Sequence, residues 1–200
     1  MYFITQPEAR PGGFVFLSSS AEWVGWLARI IPQALHVTVR SRLISNLKHL
    51  LVGLELKKAL IEPHHNRGPG DHEVLFEPYF QNFILEFCVA AFSVLEGLGS
   101  AQWLAQNDQD GANGPNILRN QWLPALAAVF DEHGEHGLEA DINSTLAVRD
   151  KLHQDRLGAR ENIDWHAFSY ENAFTPARRA IGTLLLREAE FVPAQTNLRN

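Results

Sequence analysis

Cysteine is nearly absent from this chain: Cys88 is the only one in 200 residues. No disulfide can therefore close within the chain, and no thiolate cluster can hold zinc. The neighbours of Cys88, Phe87 and Val89, are apolar. That setting reads as a buried core thiol, not as the electropositive, partly exposed surroundings a nucleophilic cysteine needs. The short motifs of common chemistries are missing too. There is no GxSxG elbow for a serine hydrolase. There is no GxxxxGK[ST] or GxGxxG loop to cradle a nucleotide, and no HExxH zinc helix. Gly111-Ala112-Asn113-Gly114 is glycine-rich, but it follows no strand and reads as a plain loop. Nothing here calls for a cofactor.

Positive charge is in short supply. Seventeen Lys and Arg face 23 Asp and Glu, for a net charge of −6. A chain so balanced does not coat nucleic acid through bulk charge, although a local basic site stays open. Lysine is scarcer still, with 4 against 13 arginines. Arg149, Arg156, Arg160, Arg178, Arg179 and Arg187 fall late in the chain. Asp150, Asp155, Glu161, Asp164 and Glu171 are interleaved with them. This alternation reads first as solvated, ion-paired helix faces and only second as a phosphate-binding patch.

Long hydrophobic runs are also lacking. The most apolar stretch, Phe83 to Leu98, is interrupted by Glu86 and Glu96 and falls short of the roughly 20 residues a bilayer requires. The start, Met1 to Pro7, has neither the basic residues nor the apolar run of a secretory signal. The expectation is a soluble, cytoplasmic protein without membrane contact.

What is present is helical periodicity. Trp23, Trp26, Leu27, Ile30 and Ile31 recur at spacings of three and four, predicting a helix over about 21–31, with Ser18, Ser19 or Ser20 as its cap and Pro32 as its end. A second helix is predicted over about 38–61. Leu43, Leu47, Leu50, Leu51, Leu54 and Leu60 form its apolar face, and Arg40, Arg42, Lys48, Lys57 and Lys58 its solvent face. Turn formers then fill Pro63 to Asp71. A third helix, about 76–98, is apolar around most of its circumference and should be wrapped by the others. Phe83, Phe87, Ala90, Ala91, Val94 and Leu95 should be its most buried residues. Gly97 and Gly99 read as its stop, with a short helix following at about 100–106. Further helices are predicted over about 116–131, 138–156 and 176–190, the last started by Thr175-Pro176 and closed by Pro193. The sequence thus predicts an all-α bundle of five to seven helices over residues 20–192. An irregular N-terminal arm, 1–19, precedes it, in which Phe14-Val15-Phe16-Leu17 reads as a short strand or an apolar arm lying on the body, and a polar tail, 193–200, follows.

Two clusters invite chemistry. His133 and His136 sit among Asp131, Glu132, Glu135, Glu139 and Asp141. The spacing could offer a metal two nitrogens, but Gly134 and Gly137 make the segment flexible, and a solvated acidic turn is the simpler reading. The other cluster is Arg149-Asp150-Lys151-Leu152-His153. Residues four apart share a helix face, so Arg149 and His153 project together. Such a pair can treat a phosphodiester without a metal. His153 moves a proton at working pH, Arg149 holds the phosphate and its developing charge, and Asp150 orients one of them. A surface Arg–His pair on an amphipathic helix has the same spacing.

The layout resembles the HEPN superfamily, small all-α bundles typified by prokaryotic toxin ribonucleases and defence proteins. The long apolar helix Phe83-Ile84-Leu85-Glu86-Phe87-Cys88-Val89-Ala90-Ala91-Phe92-Ser93-Val94-Leu95 is similar to that family's first element, and Arg149-Asp150-Lys151-Leu152-His153 to its second. The resemblance spans roughly residues 40–190. Three residues separate Arg149 from His153, where the family usually has four to six. The resemblance implies a metal-independent endoribonuclease, or a relative that binds RNA or nucleotide without cutting it, with Arg149, Asp150 and His153 as the site. It also implies a two-fold homodimer, for which five tryptophans and twelve phenylalanines supply apolar surface. The alternative is a non-enzymatic bundle that self-associates or binds a protein partner.

Overall fold

The computed structural model describes residues 2–4, 14–68, 79–114, 116–151 and 165–199. Among these residues six α-helices are present: α1 (Ser20–Ile30), α2 (Val37–His65), α3 (Tyr79–Gln106), α4 (Arg119–Phe130), α5 (Leu138–Asp150) and α6 (Thr175–Leu184). The all-α bundle is as the apolar periodicity predicts. Two short strands, β1 (Tyr2–Ile4) and β2 (Phe14–Phe16), pair antiparallel within the segment that the sequence reads as an irregular arm.

α1 starts at Ser19, whose hydroxyl accepts from the Glu22 amide while the Glu22 carboxylate accepts the Ser19 N–H at 2.6 Å. This reciprocal bonding satisfies two of the orphan donors at the helix start. It also holds the Glu22 carboxyl below the usual range. α2 runs four residues beyond the expected end, through Pro63. A proline in the last turn removes one donor there, but the helix still closes with the Asn66 N–H on the Glu62 carbonyl at 2.9 Å.

α3 is the axis. It packs against α2, α4, α5 and α6. Phe87, Ala91, Val94 and Leu95 are buried as expected, whereas Phe83 and Ala90 are only half-buried. Leu85 and Cys88 take the inner positions instead. Burial pushes the Cys88 thiol up to about 12, and its S–H donates to the Ala173 carbonyl at 3.3 Å.

The two glycines do not stop α3. It continues to Gln106 and absorbs the short helix expected after it. A β-carbon at Gly99 would stand 2.6 Å from the Trp122 ring and 2.9 Å from its carbonyl oxygen. Gly99 is therefore where α4 crosses close against α3. At 28 residues α3 is long and apolar enough to cross a membrane by length and composition alone, and just over half of its most apolar window is buried in the bundle.

α6 also begins differently. A π-helical turn, Tyr170–Phe174, runs straight into it. Ser169 caps that turn, accepting from the Asn172 amide at 3.2 Å, while Thr175 donates its hydroxyl to the Tyr170 carbonyl. Thr175 is therefore no cap. α6 ends at Leu184, well before Pro193. A 3₁₀ turn, Ala189–Phe191, and a second, Asn197–Arg199, then fold the tail back onto α1, α2 and α6.

Candidate functional site

α5 carries a different site at each end. Its N-terminus follows the acidic turn. There the Asp131 carboxylate accepts the backbone N–H of His136 at 3.1 Å and of Leu138 at 2.9 Å. Burial works to raise this carboxyl, but the backbone amides of Leu138, His136 and Glu135, with the His136 side chain, together outweigh it and hold it below its ordinary value. Asp131 is thus occupied as a helix-start acceptor. Among the described residues no group of three or more His, Cys, Asp or Glu is placed to hold a metal ion.

The C-terminus of α5 brings Arg149 to the surface. Its guanidinium lies 4.9 Å from the centre of the Phe92 ring, and one nitrogen stands 3.6 Å from Asp150. The Arg149 side chain is one-third exposed and Asp150 is mostly exposed. Phe92 belongs to α3, so the two segments that carry the family resemblance touch at this point. Lys151 repeats the arrangement, its ammonium 5.8 Å from the Phe168 ring centre. Trp165 packs edge-on against the same Phe168 ring, with centroids 5.6 Å apart, and remains 36% exposed. Such cation–aromatic contacts are worth roughly 0.5–1 kcal/mol at exposed sites. Here one of them holds the Lys151 charge over the ring that also packs against the exposed Trp165 indole, while Arg149 rests on Phe92. His153 lies outside the described residues, so of the predicted pair only Arg149 has a described position.

A second cationic place was not legible as a site. Arg178 and Arg179 on α6, Arg199 from the tail and His136 from the acidic turn line a groove of about 260 Å³. Arg179 forks onto Asp141 of α5, with contacts of 3.0 and 2.6 Å. This raises its already high pKa further. Arg178 stands 4.0 Å from Glu62 of α2. The same Glu62 oxygen faces Lys58 at 3.4 Å.

The solvent face assigned to Lys58 is wrong: the side chain is 2% exposed, and its ammonium donates to the Asn197 carbonyl. The reason is the folded-back tail, which covers that part of α2 and which no helical periodicity can show. Burial pulls the Lys58 ammonium below its ordinary range, Glu62 opposes that, and Arg178 adds to it. Glu55, one turn earlier and fully buried, spends its carboxylate on the Ser18 N–H and hydroxyl. The only sequence signal for the groove was the Arg178-Arg179 pair close to a mid-helix glycine, Gly182.

Compared with known protein families, with characterised proteins and with solved structures, the chain matches none.

Proposed function

We propose that this chain is an RNA-directed helical bundle of the HEPN kind, working through the C-terminal end of α5. The observation that supports this is the partly exposed Arg149 at the end of α5, followed two residues later by Lys151, whose supporting ring also packs against Trp165. Two cations sit on the faces of Phe92 and Phe168, and Trp165 stays exposed against the second ring. Unpaired RNA bases stack on exposed aromatic rings, while arginine and lysine hold the phosphates. Arg149 is propped by Phe92 and answered by one loose carboxylate, so part of its guanidinium fork is available to a phosphate oxygen. His153, four positions after Arg149 in the sequence and outside the described residues, is the proton-transfer group of this reading, and Asp150 orients Arg149. A two-fold pair of chains, each contributing this surface, belongs to the same reading.

The test incubates purified wild type, Arg149→Ala, His153→Ala and Trp165→Ala with single-stranded RNA in EDTA, with light scattering on each protein. A dimer that cleaves is expected. His153→Ala should lose about 10²- to 10⁴-fold in rate at unchanged helical content. Arg149→Ala should lose cleavage and bind RNA more weakly, and Trp165→Ala should mainly weaken binding. If wild type leaves RNA intact but binds it through Arg149 and Trp165, the chain is the binding-only relative. If it neither cleaves nor binds RNA, the reading fails.

A further inference from the structure

The loop between α3 and α4 carries Asn113-Gly114, the only Asn-Gly pair in the chain. Both residues are exposed. We infer that Asn113 is a site of self-modification, where the side-chain amide becomes a carboxylate by ring closure onto the Gly114 nitrogen and hydrolysis.

The chemistry needs only water. The Gly114 backbone nitrogen attacks Cγ of Asn113, and the new C–N bond closes a succinimide ring. The Cγ–Nδ2 bond breaks, and Nδ2 leaves as ammonia with the proton from the Gly114 amide. Water then opens the ring at either of its two carbonyls. One opening gives aspartate. The other gives isoaspartate, whose main chain runs through Cβ and Cγ. One water is consumed and one ammonia released, with no change of oxidation state. Either product is ionised at neutral pH and makes the chain more acidic by one charge.

The structure leaves this path open at Asn113. Ring closure needs a free amide nitrogen and a backbone that can turn toward it. Among the described residues no hydrogen bond holds the Asn113 side chain or the Gly114 N–H. The bonds of the loop lie earlier: the Asp110 carboxylate accepts the Ala112 N–H at 2.9 Å, and the Asp110 carbonyl accepts the His36 N–H at 2.8 Å. Exposed backbone without such bonds rearranges at little cost. Glycine at 114 also keeps a β-carbon out of the way of the approaching Cγ. Neither strain nor crowding demands that glycine: its φ is not left-handed, and a β-carbon there would stand an ordinary 3.6 Å from the nearest described atoms. Asn143 makes the contrast. It too precedes a small residue, Ser144, but inside α5, where the helix fixes the backbone and engages the amide nitrogen.

The full chain, held at body temperature at neutral and at mildly alkaline pH, tests this by isoelectric focusing and by peptide mapping in a mass spectrometer. A more acidic species should accumulate, carrying aspartate and isoaspartate at position 113, with Asn143 intact. It should form faster at the higher pH, because the deprotonated amide nitrogen is the attacking species. Gly114→Ala should slow it by about tenfold, a barrier higher by about 1.4 kcal/mol, with circular dichroism unchanged. Asn113→Gln should remove it, since glutamine must close a larger ring. An Asn113 that stays intact overturns the proposal. So does conversion equally fast in Gly114→Ala, or conversion that falls first on Asn143. None of these results depends on RNA.

Discussion

The two ends of α5 use arginine in opposite ways. At the C-terminal end Arg149 leans on an aromatic face, one-third exposed, with only a loose carboxylate at 3.6 Å. At the N-terminal end Arg179 clamps Asp141 through two hydrogen bonds, and the Asp141 side chain is 7% exposed. The first arrangement leaves a cation available. The second commits one to holding α5 against α6. An arginine beside an acid in the sequence carries no sign of which role it has. Burial of the acid decides it, because a desolvated carboxylate without its partner is expensive.

The contrast can be broken by substitution. Arg179→Ala should cost the most, about 2 kcal/mol. That lies between the large penalty for breaking a fully buried pair and the small one for an exposed pair, since Arg179 itself is half-exposed. Chemical denaturation measures it. A loss under about 0.5 kcal/mol would mean that Asp141 is solvated and that the two ends are alike.

Asp131→Ala should come next, at about 1 kcal/mol at neutral pH, because two backbone donors at the start of α5 lose their acceptor. The folded carboxyl titrates below its ordinary value of 3.8. Its contribution is therefore present above about pH 4 and disappears as the pH falls through the lower folded value. Melting temperatures of wild type and variant should converge on acidification, and a gap that persists at pH 2 would contradict this assignment.

Arg149→Ala should cost least in stability, under about 1 kcal/mol, and on the proposed reading it is the substitution that removes RNA cleavage. A larger loss would make Arg149 a structural clamp like Arg179 and remove the distinction.

Much of the bundle was legible in advance because helical spacing is local. Trp23, Trp26 and Leu27 are buried at the spacing predicted for them, and Pro32 follows the end of α1. The misreadings share a different physical cause. Gly97 and Gly99 look like a helix stop, yet Gly99 is set by a ring 23 positions away and by no turn at all: Trp122 needs the space. Lys58 looks like a solvent-facing lysine, yet Asn197 folds over it. The Arg149–His153 spacing could be read directly, but the support of Arg149 by Phe92 and the packing of Lys151 and Trp165 on one Phe168 ring could not.

The sequence by itself determined the helical class, the long apolar axis, the buried thiol and the placing of Arg149 on a late helix. Each follows from composition, or from spacings of three and four residues along one segment. The tertiary structure alone decided which charges are spent and which are available. Arg178, Arg199, His136 and Gly182 come from separate segments and share a groove only because α6 and the tail fold onto α2. Desolvation and charge pairing depend on distance in space, and one-dimensional periodicity carries no record of that distance.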